Sequence, residues 1–149
     1  MTSRSSVIGR PMEVLLVEDD LEDAGLAIEV LKQGEVPCRV SLVRDGEEAM
    51  AFLRHEGHFA HTPRPDLILL DMQLPKKDGR SVLADVRCDR DLRRIPVVVL
   101  TSSRAHWEIL KQENLYVESY LTKPLVRAEF NAAVKSLRKF MLSDILPPK

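Results

Sequence analysis

The stretch Leu67-Ile-Leu-Leu70 is apolar at every position and ends on Asp71. Pro96-Val-Val-Val-Leu100 repeats the pattern and runs into Thr101. Strands that are apolar on both faces belong at the centre of a sheet covered by helices on both sides. Between them, Ser81 to Cys88 reads as a helix that turns Val82, Leu83 and Val86 inward.

The same alternation of strand and helix continues outward in both directions. Upstream, Met12-Glu-Val-Leu-Leu-Val17 is a short apolar strand, and Leu21, Ala24, Ile28 and Leu31 recur at helical spacing until Gly34 stops the helix. Val36 to Val43 has period-two alternation, and Asp45-Gly-Glu-Glu opens a second helix carrying Ala49, Phe52 and Leu53. Downstream, Arg104 to Gln112 is a fourth helix, Tyr120-Leu121 a short last strand, and Leu125 to Met141 a long last helix. In that helix Val126, Phe130, Ala133, Val134, Leu137 and Met141 form the inward stripe, with Arg127, Lys135 and Arg138 outward. Five βα units in a row predict an α/β fold, a doubly wound parallel sheet with right-handed crossovers.

The bulk properties narrow the function. A chain of 149 residues suits one domain, placed here at residues 12–141, with a flexible polar arm at 1–11 and a tail at 142–149. The net charge of −1 gives no basic field to draw the chain onto nucleic acid or an anionic membrane, so neither is an expected partner. Cys38 and Cys88 are far apart and form no CxxC pair, which suits a reducing compartment. The first residues lack an apolar signal region, and no stretch approaches the roughly 20 apolar residues of a membrane span, so the expected location is cytoplasmic.

In open α/β sheets ligands bind at the carboxyl ends of the strands. The polar residues there are Glu18-Asp19-Asp20 after the first strand, Asp71 after the third, Thr101-Ser102-Ser103 after the fourth and Thr122-Lys123-Pro124 after the fifth. Carboxylates from neighbouring strands repel one another unless a cation joins them, and Mg²⁺ takes such oxygen ligands together with phosphate. Asp71 can then attack phosphorus as a nucleophile, with Lys123 as a second positive charge and Thr101 as a hydroxyl donor.

These residues resemble response-regulator receiver domains of two-component signalling over about Met12 to Phe140. The motifs are Val17-Glu-Asp-Asp20, Asp71-Met-Gln-Leu-Pro-Lys-Lys-Asp-Gly79, Leu100-Thr-Ser-Ser103 and Tyr120-Leu-Thr-Lys-Pro124. The resemblance implies a flavodoxin-like (βα)5 fold with strand order 2-1-3-4-5. It implies Glu18 and Asp19 as the metal-binding acidic pair, Asp71 as phosphoacceptor and the backbone carbonyl of Gln73 as a further metal ligand. It also makes Thr101 the switch hydroxyl, Tyr120 the switch aromatic and Lys123 the family's lysine, followed by a cis-proline. Gln73 and Ser103 fall where the family tunes self-dephosphorylation. Ser102 stands where alanine is common, a small departure.

A narrower resemblance lies in Glu113-Asn-Leu-Tyr-Val-Glu-Ser-Tyr120 and the tail from Lys139 to Pro148, which are similar to stand-alone receivers that partner bacterial phytochromes. It implies a sensor histidine kinase, a phytochrome, as phosphodonor. It further implies a homodimer through the fourth helix, fifth strand and fifth helix, and a downstream phosphotransfer or effector protein. Only Leu142 to Lys149 follow the last helix, too few for a DNA-binding output module, so the expectation is a switch rather than an enzyme. A haloacid-dehalogenase-type phosphatase would need an aspartate at position 73, where Gln73 stands. A phosphate-independent receiver-like interaction module is the alternative, although none of the acidic, threonine or lysine positions is lost.

Other features have simpler readings. Asp20, with Asp23 three residues on, reads as a helix N-cap rather than a third metal carboxylate. Asp45-Gly46 and Asp78-Gly79 read as turns that launch helices. His55, His58 and His61 lie in a polar insert at the other end of the sheet and read as solvated loop residues. Trp107 is either packing or an interface anchor. Leu142, Ile145 and Leu146 would pack on a partner chain or fold back on their own domain.

Overall fold

The structure is a computed structural model that describes residues 10–103 and 105–145, with side chains as far as 137. Five strands alternate with five helices. They are β1 (Met12–Val17), α1 (Leu21–Lys32), β2 (Cys38–Val43), α2 (Gly46–Leu53), β3 (Leu67–Asp71), α3 (Gly79–Cys88), β4 (Val97–Thr101), α4 (Ala105–Gln112), β5 (Ser119–Thr122) and α5 (Arg127–Ile145). A short 3-10 turn, Gly57–Phe59, lies in the insert before β3. The strands form one parallel sheet, as the sequence pattern predicts, in the order β2-β1-β3-β4-β5 that the receiver resemblance implies.

Period two divides each central strand between two cores. Met12, Val14 and Leu16 of β1, Leu67 and Leu69 of β3, and Val98 and Leu100 of β4 face α1 and α5. The intervening Leu15, Val17, Ile68, Leu70, Val97 and Val99 face α2, α3 and Leu110 of α4. Each β3 side chain from Leu67 to Leu70 is 0% exposed. Burial of one such side chain contributes about 1.5–3 kcal/mol, against about 0–1 kcal/mol for a surface ion pair such as Arg39 with Glu13. The sheet's two apolar faces therefore hold the fold.

Several boundaries differ from the sequence reading for local reasons. β2 starts at Cys38 rather than Val36 because Pro37 has no N–H to donate; its carbonyl accepts from Met12 N at 2.8 Å. β4 starts after Pro96 in the same way, with the Pro96 carbonyl accepting from Ile68 N at 2.9 Å. Leu21 does not join the inward stripe: it is the first residue of α1, 60% exposed, and the buried face is Ala24, Ala27 and Leu31. Val126 is also misplaced in that reading. It precedes α5, its carbonyl accepts from Phe130 N, and it is 46% exposed while Leu125 is buried in its stead. α5 runs on to Ile145, past the expected end at Met141, because no proline interrupts it before Pro147. The arm at 1–9, Arg104, the side chains of Arg138, Met141, Leu142 and Ile145, and Leu146 lie outside the described residues.

Two glycines do more than the predicted turns require. A Cβ on Gly46 would collide with the Lys77 carbonyl, and one on Gly79 would collide with the Asp71 carbonyl and stand 2.7 Å from Met72 Cα. The loop after β3 is thus packed against the start of both α2 and α3. Gly25, in the middle of α1, has nothing within 4 Å of where a Cβ would be. Gly25→Ala should therefore raise stability by about 0.5–1 kcal/mol through helix propensity, and Gly46→Ala should lower it by about 3 kcal/mol through backbone overlap. Urea unfolding of the two variants checks the opposite signs.

Candidate functional site

Three aspartates fix the loops at the carboxyl edge of the sheet. Asp20 caps α1 by accepting from Glu22 N at 2.9 Å and Asp23 N at 3.0 Å, Asp45 caps α2 through Glu48 N, and Asp78 caps α3 through Ser81 N. Such a cap typically contributes about 1 kcal/mol, and each one here also sets where a loop leaves the sheet. The N-cap reading of Asp20 and the helix-launching reading of Asp45 and Asp78 agree with these bonds.

Parallel register then brings the acidic residues together. Val17 pairs with Leu70, so Glu18 and Asp71 follow side by side at the ends of β1 and β3. One carboxylate oxygen from each of Glu18, Asp19 and Asp71 lies within 4.8 Å of the others. Lys123, just past β5, places its Nζ 2.7 Å from Glu18 Oε1, 3.2 Å from Asp71 Oδ2 and 3.1 Å from Asp23 Oδ2. The other Asp71 oxygen, Oδ1, accepts from Gln73 N at 3.2 Å. Glu18, Asp71 and Thr101 are buried. Together with Gln73, Ser102 and Pro124, the acidic residues and Lys123 line an open cleft of about 530 Å³.

The electrostatics of this cluster are unbalanced. Like charges within this distance repel by at least about 3 kcal/mol per pair at an effective dielectric near 20. Burial pushes Glu18 up to about 7, with the neighbouring Asp71 adding to the rise and Lys123 opposing it. Burial alone would depress Lys123, but its contacts with Glu18, Asp23 and Asp71 outweigh that and raise it. Lys123 therefore stays charged. Glu18 Oε1 is buried, and the 2.7 Å ion pair with Lys123 is its contact. That oxygen is a donor atom with coordination to spare.

Thr101 and Tyr120 form the second half of the site. Thr101 Oγ1 accepts from Ser103 N at 3.1 Å and lies 2.6 Å from His106 Nδ1. Ser103 Oγ accepts from Ala105 N at the start of α4. Tyr120 stacks on Trp107 with ring centroids 4.9 Å apart, which makes Trp107 a packing partner within the chain. Burial raises the Tyr120 phenol above its ordinary range, and Glu108 adds to this. Lys123-Pro124 is a cis peptide.

The predicted residues Glu18, Asp19, Asp71, Thr101, Lys123, Gln73, Ser103 and Tyr120 thus all lie at or beside one edge of the sheet. Asp23 and His106 were missed. Asp23 looked like part of a capping signature, yet its side chain reaches Lys123; its place one turn past the cap, above the strand end, was the available signal. His106 had no motif, because its partner Thr101 is brought to it by the turn into α4. The histidines of the insert do not converge on a site: His58 stacks on Phe59, and all three are exposed. Among the described residues, the group able to hold a metal is Glu18, Asp19 and Asp71, and no helix is long and apolar enough to cross a membrane.

Known proteins resemble this chain in sequence and fold. Residues 14–135 match the family model of the response regulator receiver domain. Response regulator Rcp1 of Synechocystis sp. is 44% identical over 138 residues, which cover 93% of this chain and 94% of that one. The Mn(2+)-bound form of Rcp1 has 43% identity, a TM-score of 0.72, and covers 93% of this chain and all of that chain. The phosphorylated cyanobacterial phytochrome response regulator RcpA is 46% identical with a TM-score of 0.74, covering 93% and 100% of the two chains. The bacteriophytochrome response regulator RtBRR is 40% identical with a TM-score of 0.79, covering 86% and 78%. With the family model spanning most of its length and its acidic edge built as described, the chain belongs to the response regulator receiver domains.

Proposed function

We propose that this receiver is a phosphorylation-dependent switch in which Asp71 accepts a phosphoryl group from a sensor histidine kinase. The observation that carries the reading is the Asp71 carboxylate itself, buried, held by Lys123 on one oxygen and Gln73 N–H on the other, beside two further carboxylates. In the transfer a carboxylate oxygen of Asp71 forms the new O–P bond. The P–N bond of the donor's phosphohistidine breaks, and the departing imidazole keeps the bonding pair and takes up a proton. Lys123 offsets charge on the phosphoryl oxygens, and the Thr101 hydroxyl becomes a hydrogen-bond donor to one of them.

Glu18, Asp19, Asp71 and the backbone carbonyl of Gln73 would hold a divalent cation, Mg²⁺ being the natural one for hard oxygen ligands. The fit rests on three crowded carboxylates, two of them buried, that share the single charge of Lys123 and on Glu18 Oε1, buried with Lys123 on one side and room for a further ligand contact. When bound, the ion supplies neutralisation of the phosphoryl oxygens. A Mn(2+)-bound relative supports divalent-metal binding.

The similarity to phytochrome response regulators supports a phytochrome kinase as the donor. The output surface of this reading is α4, β5 and α5, where a homodimer partner or a downstream phosphotransfer or effector protein would bind. Exposed Ile109 on α4, Tyr116 before β5 and Val126 before α5 support an apolar contact there. Gln73 and Ser103, at the mouth of the cleft and the start of α4, would set the lifetime of the phosphoryl group. The switching unit in this proposal is residues 12–141.

Intact mass after incubation with acetyl phosphate tests the chemistry. One added phosphoryl that needs Mg²⁺ and disappears in Asp71→Asn is the expected result. An adduct that persists in Asp71→Asn would sink the nucleophile assignment, and no adduct on the wild type would favour a phosphate-independent interaction module.

The acidic crowding makes a separate forecast for stability. Glu18 keeps its proton up to about 7 when folded and releases it near 4.5 when unfolded, so between these values the folded chain binds more protons. In chelator, the contribution of Glu18 to stability should fall as pH rises through that window, by on the order of 2–3 kcal/mol. Glu18→Gln should flatten the slope, and Mg²⁺ should restore wild-type stability above pH 7. Urea unfolding at pH 5, 6 and 7.5, in chelator and in Mg²⁺, measures all three effects.

A further inference from the structure

The hydroxyl of Thr101 has one proton to give, and its surroundings already claim it. Ser103 N–H donates into Oγ1 at 3.1 Å, which leaves the hydroxyl to donate in its turn. The Ser103 carbonyl lies at 3.4 Å, whereas His106 Nδ1 lies at 2.6 Å. With His106 in the tautomer that carries hydrogen on Nε2, the shorter contact takes the proton in preference to the Ser103 carbonyl. His106 sits in the first turn of α4, half-buried, at the wall of a second cleft lined also by Gln73 and Asp78. The next residue, Trp107, stacks on Tyr120. Two consecutive residues of α4 therefore grip Thr101 and Tyr120, the two residues assigned to the switch.

We propose that His106 is a latch: its Nδ1 holds the Thr101 hydroxyl on α4, and a phosphoryl group at Asp71 can engage that hydroxyl only by breaking this bond. The inference rests on the phosphoacceptor reading of Asp71 for its consequence, although the latch itself belongs to the unphosphorylated chain. Donation to His106 and donation to a phosphoryl oxygen exclude each other, because both use one proton. His106 is thus a positioning residue that subtracts from the affinity of the site for a phosphoryl group and releases the start of α4 when the site is filled. It sets how far the chain leans toward its resting form.

Two measurements test this. The first needs no phosphorylation: amide hydrogen exchange at Ser103, Ala105 and His106 in metal-free protein. His106→Leu and Thr101→Val should each speed exchange there, and the double variant should be no faster than Thr101→Val alone, which also removes the acceptor of Ser103 N–H. His106→Asn, which keeps an oxygen acceptor near the position of Nδ1, should stay close to wild type. The second follows the emission of Trp107, the chain's one tryptophan, during titration with beryllofluoride in Mg²⁺ as a phosphoryl mimic. Loss of one hydrogen bond in His106→Leu should lower the midpoint about fivefold. His106→Asn should restore it, and in a Thr101→Val background His106→Leu should leave it unchanged.

Equal exchange in wild type and His106→Leu would overturn the latch, as would a midpoint shift that survives in Thr101→Val. If the wild type neither takes up acetyl phosphate nor binds the mimic, the phosphoacceptor reading fails, and the exchange experiment still decides whether the latch exists.

Discussion

The carboxyl edge of the sheet is governed by the crowding of Glu18, Asp19 and Asp71, with Lys123 paired to Glu18 and Asp71. Their mutual repulsion opposes this placement, and Lys123 counters only part of it. They are carried there by the apolar register of the sheet, in which Val17 pairs with Leu70 and Asp71 with Leu100. Two apolar cores, one on each face, fix that register. A slip of one residue would send every side chain of a central strand into the opposite core and spoil the packing on both faces, so the acidic residues cannot move apart to relieve their repulsion. The cost appears in the raised Glu18, and Lys123 offsets only part of it.

The loops around the cluster are held with similar firmness. Gly79 lets α3 start against the backbone of Asp71 and Met72, and Gly46 lets α2 start against Lys77. Neither glycine has a left-handed backbone; each is needed because a neighbouring chain segment fills the space of a Cβ. Arg87 does the corresponding work at the opposite edge. Its guanidinium donates to the carbonyls of Tyr116, Arg93 and Ile95 and pairs with Glu118, which itself accepts from Val97 N. These bonds satisfy the backbone where β4 begins and tie it to the entry of β5.

Much of this was legible in the sequence because the signals were strong and local. Unbroken apolar runs at Leu67 to Leu70 and Val97 to Leu100 mark buried parallel strands, and polar residues at the ends of four strands mark the edge where a site forms. Legibility failed where the answer depended on three-dimensional neighbours. Val126 fits a helical stripe by spacing, yet α5 begins one residue later. Leu21 fits by spacing as well, but the first residue of a helix at the rim gains little cover. The partner of Asp23 is a hundred residues away in sequence, and a capping pattern accounts for its spacing without that contact. His106 carries no motif at all, since its meaning comes from a 2.6 Å contact made by a turn.

The distribution of burial also decides where a change at Asp71 can be transmitted. β1, β3 and β4 are packed on both faces, and interiors of that density do not deform gradually. α4 is different: of its eight residues, Leu110 alone is buried, and β5 beside it is the edge strand. A helix held by so little apolar contact opens at a small free-energy cost compared with the core. Its firmest links to the site are the contacts of His106 with Thr101 and of Trp107 with Tyr120. Any event at Asp71 that recruits the Thr101 hydroxyl therefore acts on the most loosely packed helix through its main attachment. The same feature that leaves α4 poor in core contacts makes it the element whose position the site can control.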